Sequence, residues 1–258
     1  FDMEMPQVQN VFSEVEDTEL YCVKKVSEDI RINISKEREK FEAKNGIKPG
    51  LAVIIVGEDP ASKIYVRNKG KACEEVGFYS EIHALPTETT QEELLSLVHK
   101  LNKDDKIHGI LVQSPLPKHL DEALIVDNID YKKDVDAFHP INVGKIMIGD
   151  YSFLPCTPAG VMELLKAYDI DPCGKECVVI GRSNIVGKPM SMLLLHANGT
   201  VTTAHSRTKN LKEVVRLTTK KDNEQYNENV RDSKKAFNKC KELIEKNGLD
   251  MKLLDANY

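Results

Sequence analysis

Cys177-Val-Val-Ile-Gly-Arg-Ser-Asn-Ile-Val-Gly-Lys-Pro189, running on to Val201-Thr-Thr-Ala-His-Ser-Arg-Thr208, is the most telling stretch of this chain. The apolar run 177–180 has the length of a buried parallel strand. Gly181 and Gly187 bracket a turn, Met190 to His196 has helical periodicity, and Asn198-Gly199 ends that helix before Thr200–Ala204 resumes β character. Strand, glycine turn, helix and second strand make the first half of a nucleotide-binding βαβ unit, whose turn and helix N-terminus offer backbone N–H groups to a pyrophosphate. An acidic residue at the end of the second strand holds a ribose with a free 2′-hydroxyl. Here His205, Ser206 and Arg207 take that place and suit a 2′-phosphate, which favours NADP over NAD. The glycine spacing departs from G-x-G-x-x-G, so an ordinary glycine turn in a parallel α/β unit stays open on pattern alone.

Working outward, the 258 residues are 41% hydrophobic and 30% charged, an ordinary globular composition with room for two modest α/β domains. The net charge of −5 and the lack of a basic patch give no reason to expect nucleic-acid binding. No apolar run approaches membrane-spanning length and no signal peptide is visible, so the expected location is cytoplasmic. The six cysteines are scattered, and Cys173 and Cys177 have no second ligand pair, so no metal is expected.

Residues 1–20 carry six carboxylates and no Lys or Arg, which reads as a loose acidic leader or a cut end. A helix is predicted from Val23 to about Ala43, a buried strand over Leu51–Val56, and a turn at Gly57-Glu-Asp-Pro60. Ser62 is the expected cap of a helix that runs to Val76. A short strand over Ser80–Ala84 follows, then a helix opened by a Thr90/Glu93 capping box and a strand over Ile107–Gln113. After Ser-Pro-Leu-Pro117 come a helix over 120–129 and the acidic loop Lys133-Asp-Val-Asp136. Thr157 and Pro158 read as the N-cap and first turn of a helix to Tyr168. Strands alternating with helices at this spacing imply a parallel sheet. Beyond Val215 the chain turns polar, with a surface helix expected over Lys234–Lys246 and a strand over Leu249–Leu254.

Tyr65 and Lys69 stand four apart on one helix face, after a strand's carboxyl end, where open α/β sheets place ligands. Gln113 ends another strand, and Asp134 and Asp136 lie in a loop. A partly desolvated lysine beside a glutamine and a tyrosine suits acid/base work near neutral pH. Spacing alone equally allows an exposed helix lysine, a packing tyrosine and a solvated acidic loop.

Five motifs, in order, alter that balance. Gly57-Glu-Asp-Pro-Ala-Ser-Lys-Ile-Tyr-Val-Arg-Asn-Lys-Gly-Lys-Ala-Cys73, Gly109-Ile-Leu-Val-Gln-Ser-Pro-Leu-Pro117, Lys133-Asp-Val-Asp136, Leu154-Pro-Cys-Thr-Pro-Ala-Gly160 and Val179-Ile-Gly-Arg-Ser-Asn-Ile-Val-Gly-Lys-Pro189 resemble the bifunctional methylenetetrahydrofolate dehydrogenase/cyclohydrolase family over about residues 20–215. The resemblance implies oxidation of 5,10-methylenetetrahydrofolate by hydride transfer to NADP, then hydrolysis to 10-formyltetrahydrofolate, in one cleft between two domains. It implies Lys69 as acid/base, Gln113 as its orienting partner, Tyr65 stacked on the folate and Asp136 accepting from the pterin. It places Thr157 and Pro158 beside the cofactor. Gly181, Arg182, Ser183, Ile185 and Gly187 would form the phosphate turn, and Ser206 and Arg207 would face the 2′-phosphate.

The expected fold class is therefore α/β with two domains: a parallel-sheet catalytic domain at 21–150, then a shortened Rossmann-like nucleotide domain at 151–215. An unrelated α+β tail follows at 216–258. Its sequence resembles the start of a sporulation-type cell-fate regulatory-complex protein, where the family would continue its β-α units and a glycine-rich folate loop. Cofactor affinity is expected to suffer and hydrolysis to survive better. A non-catalytic folate-binding protein and a chimeric reading frame without function are the alternatives. Family members are often homodimeric through the nucleotide domain, and self-association is not inferable for a shortened one. Two smaller departures are Ala137, where the family has Gly, and Gly70, where a helix former is commoner and a weakness of ~1 kcal/mol is expected.

Overall fold

A computed structural model of the chain describes residues 23–220. The expected acidic leader, the helix over Lys234–Lys246 and the strand over Leu249–Leu254 lie outside the described residues. The fold is α/β with parallel sheets, as the alternation of strands and helices implies. The chain divides into two compact units. One holds residues up to Lys133 together with Val161–Ile170, the other Asp134–Gly160 together with residues from Asp171 onward.

In the first unit, helix α1 (Val23–Asn45) precedes strand β1 (Gly50–Val56). Helix α2 (Pro60–Val76) leads to β2 (Tyr79–Leu85), and α3 (Gln91–Asn102) to β3 (Gly109–Val112), with α4 (Glu122–Asn128) beyond. Strand β1 is central in the order β2-β1-β3, and both pairings are parallel. A central strand covered on both faces must be apolar throughout, which is why Leu51–Val56 has no polar alternation. Ala52, Ile54 and Val56 point to one face and pack with Leu94, Val98, Leu101, Ile110 and Ile125 into the core. Each such side chain contributes about 1.5–3 kcal/mol by leaving water.

The cap of α2 is Asp59, not Ser62. The Asp59 carboxylate accepts from Ser62 N at 2.7 Å, Pro60 occupies the first turn, and Ser62 is buried inside the helix. Pro has no N–H to lose at that position, so it fixes where the helix begins. The Thr90/Glu93 capping box at α3 is present as expected. Gly70 is no plain weakness. A Cβ there would lie 3.3 Å from Ile82 Cδ1, so the glycine lets α2 lie close on β2. The β3 ladder is shorter than the expected 107–113, although Ile107 is fully buried ahead of it.

In the second unit, α5 (Pro140–Ile148) was not legible as a helix; α6 (Cys156–Ala167), which belongs to the second unit up to Gly160 and to the first from Val161, starts one residue before Thr157. Thr157 is thus not the N-cap. Cys156, Thr157 and Pro158 fill the first turn, where a missing proline N–H costs nothing. Strand β4 (Glu176–Ile180), helix α7 (Gly187–His196) and strand β5 (Thr200–Ala204) form the βαβ unit, and β4 and β5 pair in parallel from Glu176↔Thr200 to Ile180↔Ala204. Helix α5 packs on α7, with His196 Nε2 2.8 Å from the Ile146 carbonyl. Helix α8 (Leu211–Lys220), also unanticipated, packs along β4.

Candidate active site and nucleotide turn

In the order β2-β1-β3, the chain leaves β1 to one side and β3 lies on the other, so the switch point falls between β1 and β3. Open parallel sheets bind ligands outside the carboxyl ends of the strands at that point. The backbone turns at Gly57 (φ +89°), where only glycine is unstrained, and feeds α2. On α2, Tyr65 is 56% exposed, and Lys69 lies one turn on and half-buried. Gln113 extends the ladder one residue past β3, its N–H donating to Ile54 O at 2.8 Å.

Two carboxyl ends on one sheet edge bring residues 44 apart together: Lys69 Nζ donates to Gln113 Oε1 at 3.2 Å. The carboxamide is oriented from its other end, where Nε2 donates to Ser114 O at 2.7 Å. A carbonyl can only accept and an amine hydrogen can only be donated, so the oxygen must face the lysine. Among the described residues Lys69 makes no ion pair. Its partner is a neutral amide, and the amine keeps further directions for a reacting group.

Asp136 belongs to the other unit, half-buried in the loop before α5. The neighbouring Ala137 is buried at φ +57°, the left-handed backbone in which the family's glycine would be unstrained.

The residues expected at the cofactor also lie in the second unit. Thr157 is exposed in the first turn of α6 and Pro158 is fully buried there. Gly181 has φ +141° and its N–H donates to Ala204 O at 2.8 Å, tying the turn to the end of β5. A Cβ on Gly187 would stand 2.5 Å from the Gly181 carbonyl carbon and oxygen, so the helix start and the turn are in backbone contact. Ser183 Oγ accepts from Val186 N at 3.1 Å and Gly187 N at 3.2 Å, which braces the turn from within. Arg182 is exposed, and Ile185 half-buried. The loop after β5 closes on itself, with His205 N donating to Thr208 Oγ1 at 2.8 Å, and it leaves Ser206 and Arg207 exposed. One glycine held at positive φ (Gly181) and one that a Cβ would obstruct (Gly187), followed by an exposed Ser-Arg pair, fit a dinucleotide with a 2′-phosphate. Near the start of β4, at the end away from the turn, burial pushes the Cys177 thiol up from its ordinary range.

Comparison with known proteins agrees with this geometry. The tetrahydrofolate dehydrogenase/cyclohydrolase catalytic domain matches residues 22–136, and the NAD(P)-binding domain of the same enzymes matches residues 155–219. The chain belongs to the tetrahydrofolate dehydrogenase/cyclohydrolase family. It is 64% identical over 190 residues to the bifunctional protein FolD of Acetivibrio thermocellus, covering 74% of this chain and 65% of that protein. To FolD of Moorella thermoacetica it is 58% identical over 188 residues, covering 73% and 67%. Among solved structures, the bifunctional enzyme FolD of Campylobacter jejuni aligns with TM-score 0.72 at 51% identity, over 74% of this chain and 68% of that one. The Trypanosoma brucei enzyme, solved with NADP cofactor and inhibitor, aligns with TM-score 0.71 at 38% identity, over 75% and 67%. The chain thus spans about two thirds of the length of its relatives. A different family, the PSP1 C-terminal conserved region, matches residues 212–258, in keeping with the second resemblance read in the tail.

The sequence had not singled out Ser183 as a brace or Asp134 as a buried acceptor. Both act on backbone N–H groups, which no motif spacing ranks. The one available sign was His139-Pro140, an N-cap and first-turn proline that announces α5.

Proposed function

We propose that the chain acts in one-carbon folate metabolism in the cytoplasm, on tetrahydrofolate derivatives. The reactions are NADP-dependent oxidation of 5,10-methylenetetrahydrofolate to the methenyl form and its hydrolysis to 10-formyltetrahydrofolate. The observation that carries the reading is the Lys69–Gln113 bond at 3.2 Å, on the sheet edge where such folds do chemistry. In hydrolysis, a water oxygen bonds to the cationic methenyl carbon while the Lys69 amine accepts a proton from that water. The same group returns the proton to the departing folate nitrogen as its bond to that carbon breaks, and the remaining hydroxyl hydrogen leaves to solvent as a proton as the C=O forms, so the formyl group stays on the other nitrogen. Gln113 orients the amine through a neutral acceptor. Tyr65 stacks on the folate, and Asp136 accepts hydrogen bonds from the pterin.

Gly181, Arg182, Ser183, Ile185 and Gly187 receive the pyrophosphate, Thr157 and Pro158 flank the cofactor, and Ser206 with Arg207 faces the 2′-phosphate. When bound, NADP supplies the hydride acceptor for the oxidation. The hydrolytic pair sits in the first unit, whereas the sheet carrying the nucleotide turn has two strands among the described residues. Hydrolysis is therefore the more robust of the two activities. The test is an absorbance assay of both steps on the purified 258-residue chain, with NADP and NAD compared. Methenyl hydrolysis that Lys69→Met abolishes while tetrahydrofolate still binds is the expected result. Undiminished hydrolysis in that variant would overturn the assignment of the amine, and a chain that binds folate without turnover in any form is a binding protein.

A further inference from the structure

Among the described residues the buried polar side chains include one ionisable group, the Asp134 carboxylate, which is 2% exposed. It sits two residues before Asp136, in the loop that opens the second unit. A carboxylate is costly to bury unless its oxygens are well provided with donors. Asp134 Oδ2 accepts from His139 N at 2.9 Å and from Asn142 Nδ2 at 2.8 Å, and Asn142 is itself buried in α5. The same residue's carbonyl accepts from Ala137 N at 3.3 Å. That bond closes a four-residue turn with Val135 and Asp136 at its centre. Ala137 then takes the left-handed conformation, and His139 caps α5, its Nδ1 accepting from Ile141 N at 3.1 Å.

Asp134 thus grips the turn from both sides. Its backbone oxygen closes the turn under Asp136, and its side chain ties the turn's exit to the start of α5. Without the carboxylate, His139 N and the Asn142 amide lose this acceptor in a buried place, and the long Asp134–Ala137 backbone bond is left with less support against the strain at Ala137. We propose that Asp134 is a positioning residue: it fixes the direction in which Asp136 presents its carboxylate to the pterin. The proposal rests on the folate reading above, since it is the role of Asp136 that Asp134 serves.

The experiment measures KM and kcat for 5,10-methenyltetrahydrofolate hydrolysis, tetrahydrofolate affinity by calorimetry and melting temperature, on the full chain. Asp134→Ala raises KM and weakens affinity about tenfold at near-unchanged kcat. Asp134→Asn, whose amide oxygen can accept both hydrogen bonds, returns both to within about threefold. A variant carrying Asp134→Ala and Asp136→Ala together is no worse than Asp136→Ala alone, because Asp134 acts only through its neighbour. A merely structural role would lower the melting temperature without raising KM and without this non-additivity. Should Asp134→Ala fail to fold, Asn142→Ala removes one donor and raises KM about threefold. Wild-type hydrolysis with an unmoved KM in Asp134→Ala, or multiplying effects in the double variant, overturns the proposal alone. A wild-type chain that neither hydrolyses nor binds folate overturns the functional reading and the proposal with it.

Discussion

Replacing Gly187 by alanine tests the nucleotide turn directly. The added Cβ would stand 2.5 Å from the carbon and oxygen of Gly181 and 2.6 Å from Arg182 N, where ordinary contact begins near 3.4 Å. All three neighbours are backbone, so no rotamer change relieves the overlap, and the turn and helix α7 must separate by about 0.9 Å. Forcing a methyl into a filled place costs about 1–3 kcal/mol. A loss near 2 kcal/mol lowers the melting temperature by about 4–8 °C for a chain of this size. The displaced N–H groups should also weaken NADP binding at least about tenfold, since anion recognition depends on their direction. Gly144→Ala is the control: its Cβ meets nothing within 4 Å on α5. There the substitution should stabilise by about 0.5–1 kcal/mol through helix propensity. Differential scanning calorimetry reads the stability of both variants, and fluorescence titration reads the cofactor. A Gly187→Ala chain that melts and binds like wild type would refute the close approach on which the cradle depends.

Ala137→Gly removes the strain of an alanine at φ +57° and should stabilise the chain by about 0.5–1 kcal/mol, less than the full left-handed cost because glycine also loosens the unfolded chain. A lower melting temperature would mean that the methyl group's packing outweighs its strain. Thr90→Ala should cost about 1 kcal/mol, read by denaturant unfolding, because the capping box is complete. Glu93 is held below the usual carboxylate value of 4.5, first by its bond from Thr90 N, so its contribution is full above that value and fades as pH falls through the lower folded one. Thr90→Ala keeps the bond from the backbone N–H and loses the weaker one from Thr90 Oγ1 to Glu93 at 3.1 Å, so a part of its penalty should shrink in acid, and a fully pH-independent penalty would refute that coupling. Burial pushes the Cys73 thiol up, whereas Cys156 and Cys173 are exposed. Alkylation with peptide mapping near neutral pH should label those two well before Cys73, and the reverse order would mean that α2 opens readily.

What the sequence made legible was local. The run Leu51–Val56 announced a central strand because a strand covered on both faces leaves no place for polar alternation. Thr90 and Glu93 announced a helix start because both halves of the cap lie within one turn. Asp59 and Ser62 are both capping residues, and Pro60 between them was the deciding sign that the earlier one caps. Helix α5 stayed hidden because Ile141, Val143, Met147 and Ile148 are all exposed, so its apolar residues do not fall on one buried stripe. The Lys69–Gln113 contact spans 44 residues and exists only because β1 and β3 are neighbours with their carboxyl ends on one edge. Residue types could nominate the pair, but strand order had to join it.

The join near residue 212 bears on the two activities unequally. Helix α8 lies across it: the NAD(P)-binding match runs to residue 219, while the PSP1 match begins at 212. The helix nonetheless packs along β4, with Leu211, Val214 and Val215 half-buried, so the segment shared by the two matches serves the nucleotide unit's packing. Among the described residues that unit pairs only β4 with β5, and Ile180 and Leu195 remain 62% and 51% exposed. A dinucleotide crevice is built from more strands than a single pair, and the phosphate turn is the part of it that the described residues form. The proposed hydrolysis makes no such demand. Its amine, and the glutamine that orients it, are fixed by a three-stranded sheet whose central strand is buried from Ala52 to Val56. Loss of affinity for the oxidant would then leave the cyclohydrolase step standing, and the ratio of the two rates reports how much of the nucleotide site this join preserves.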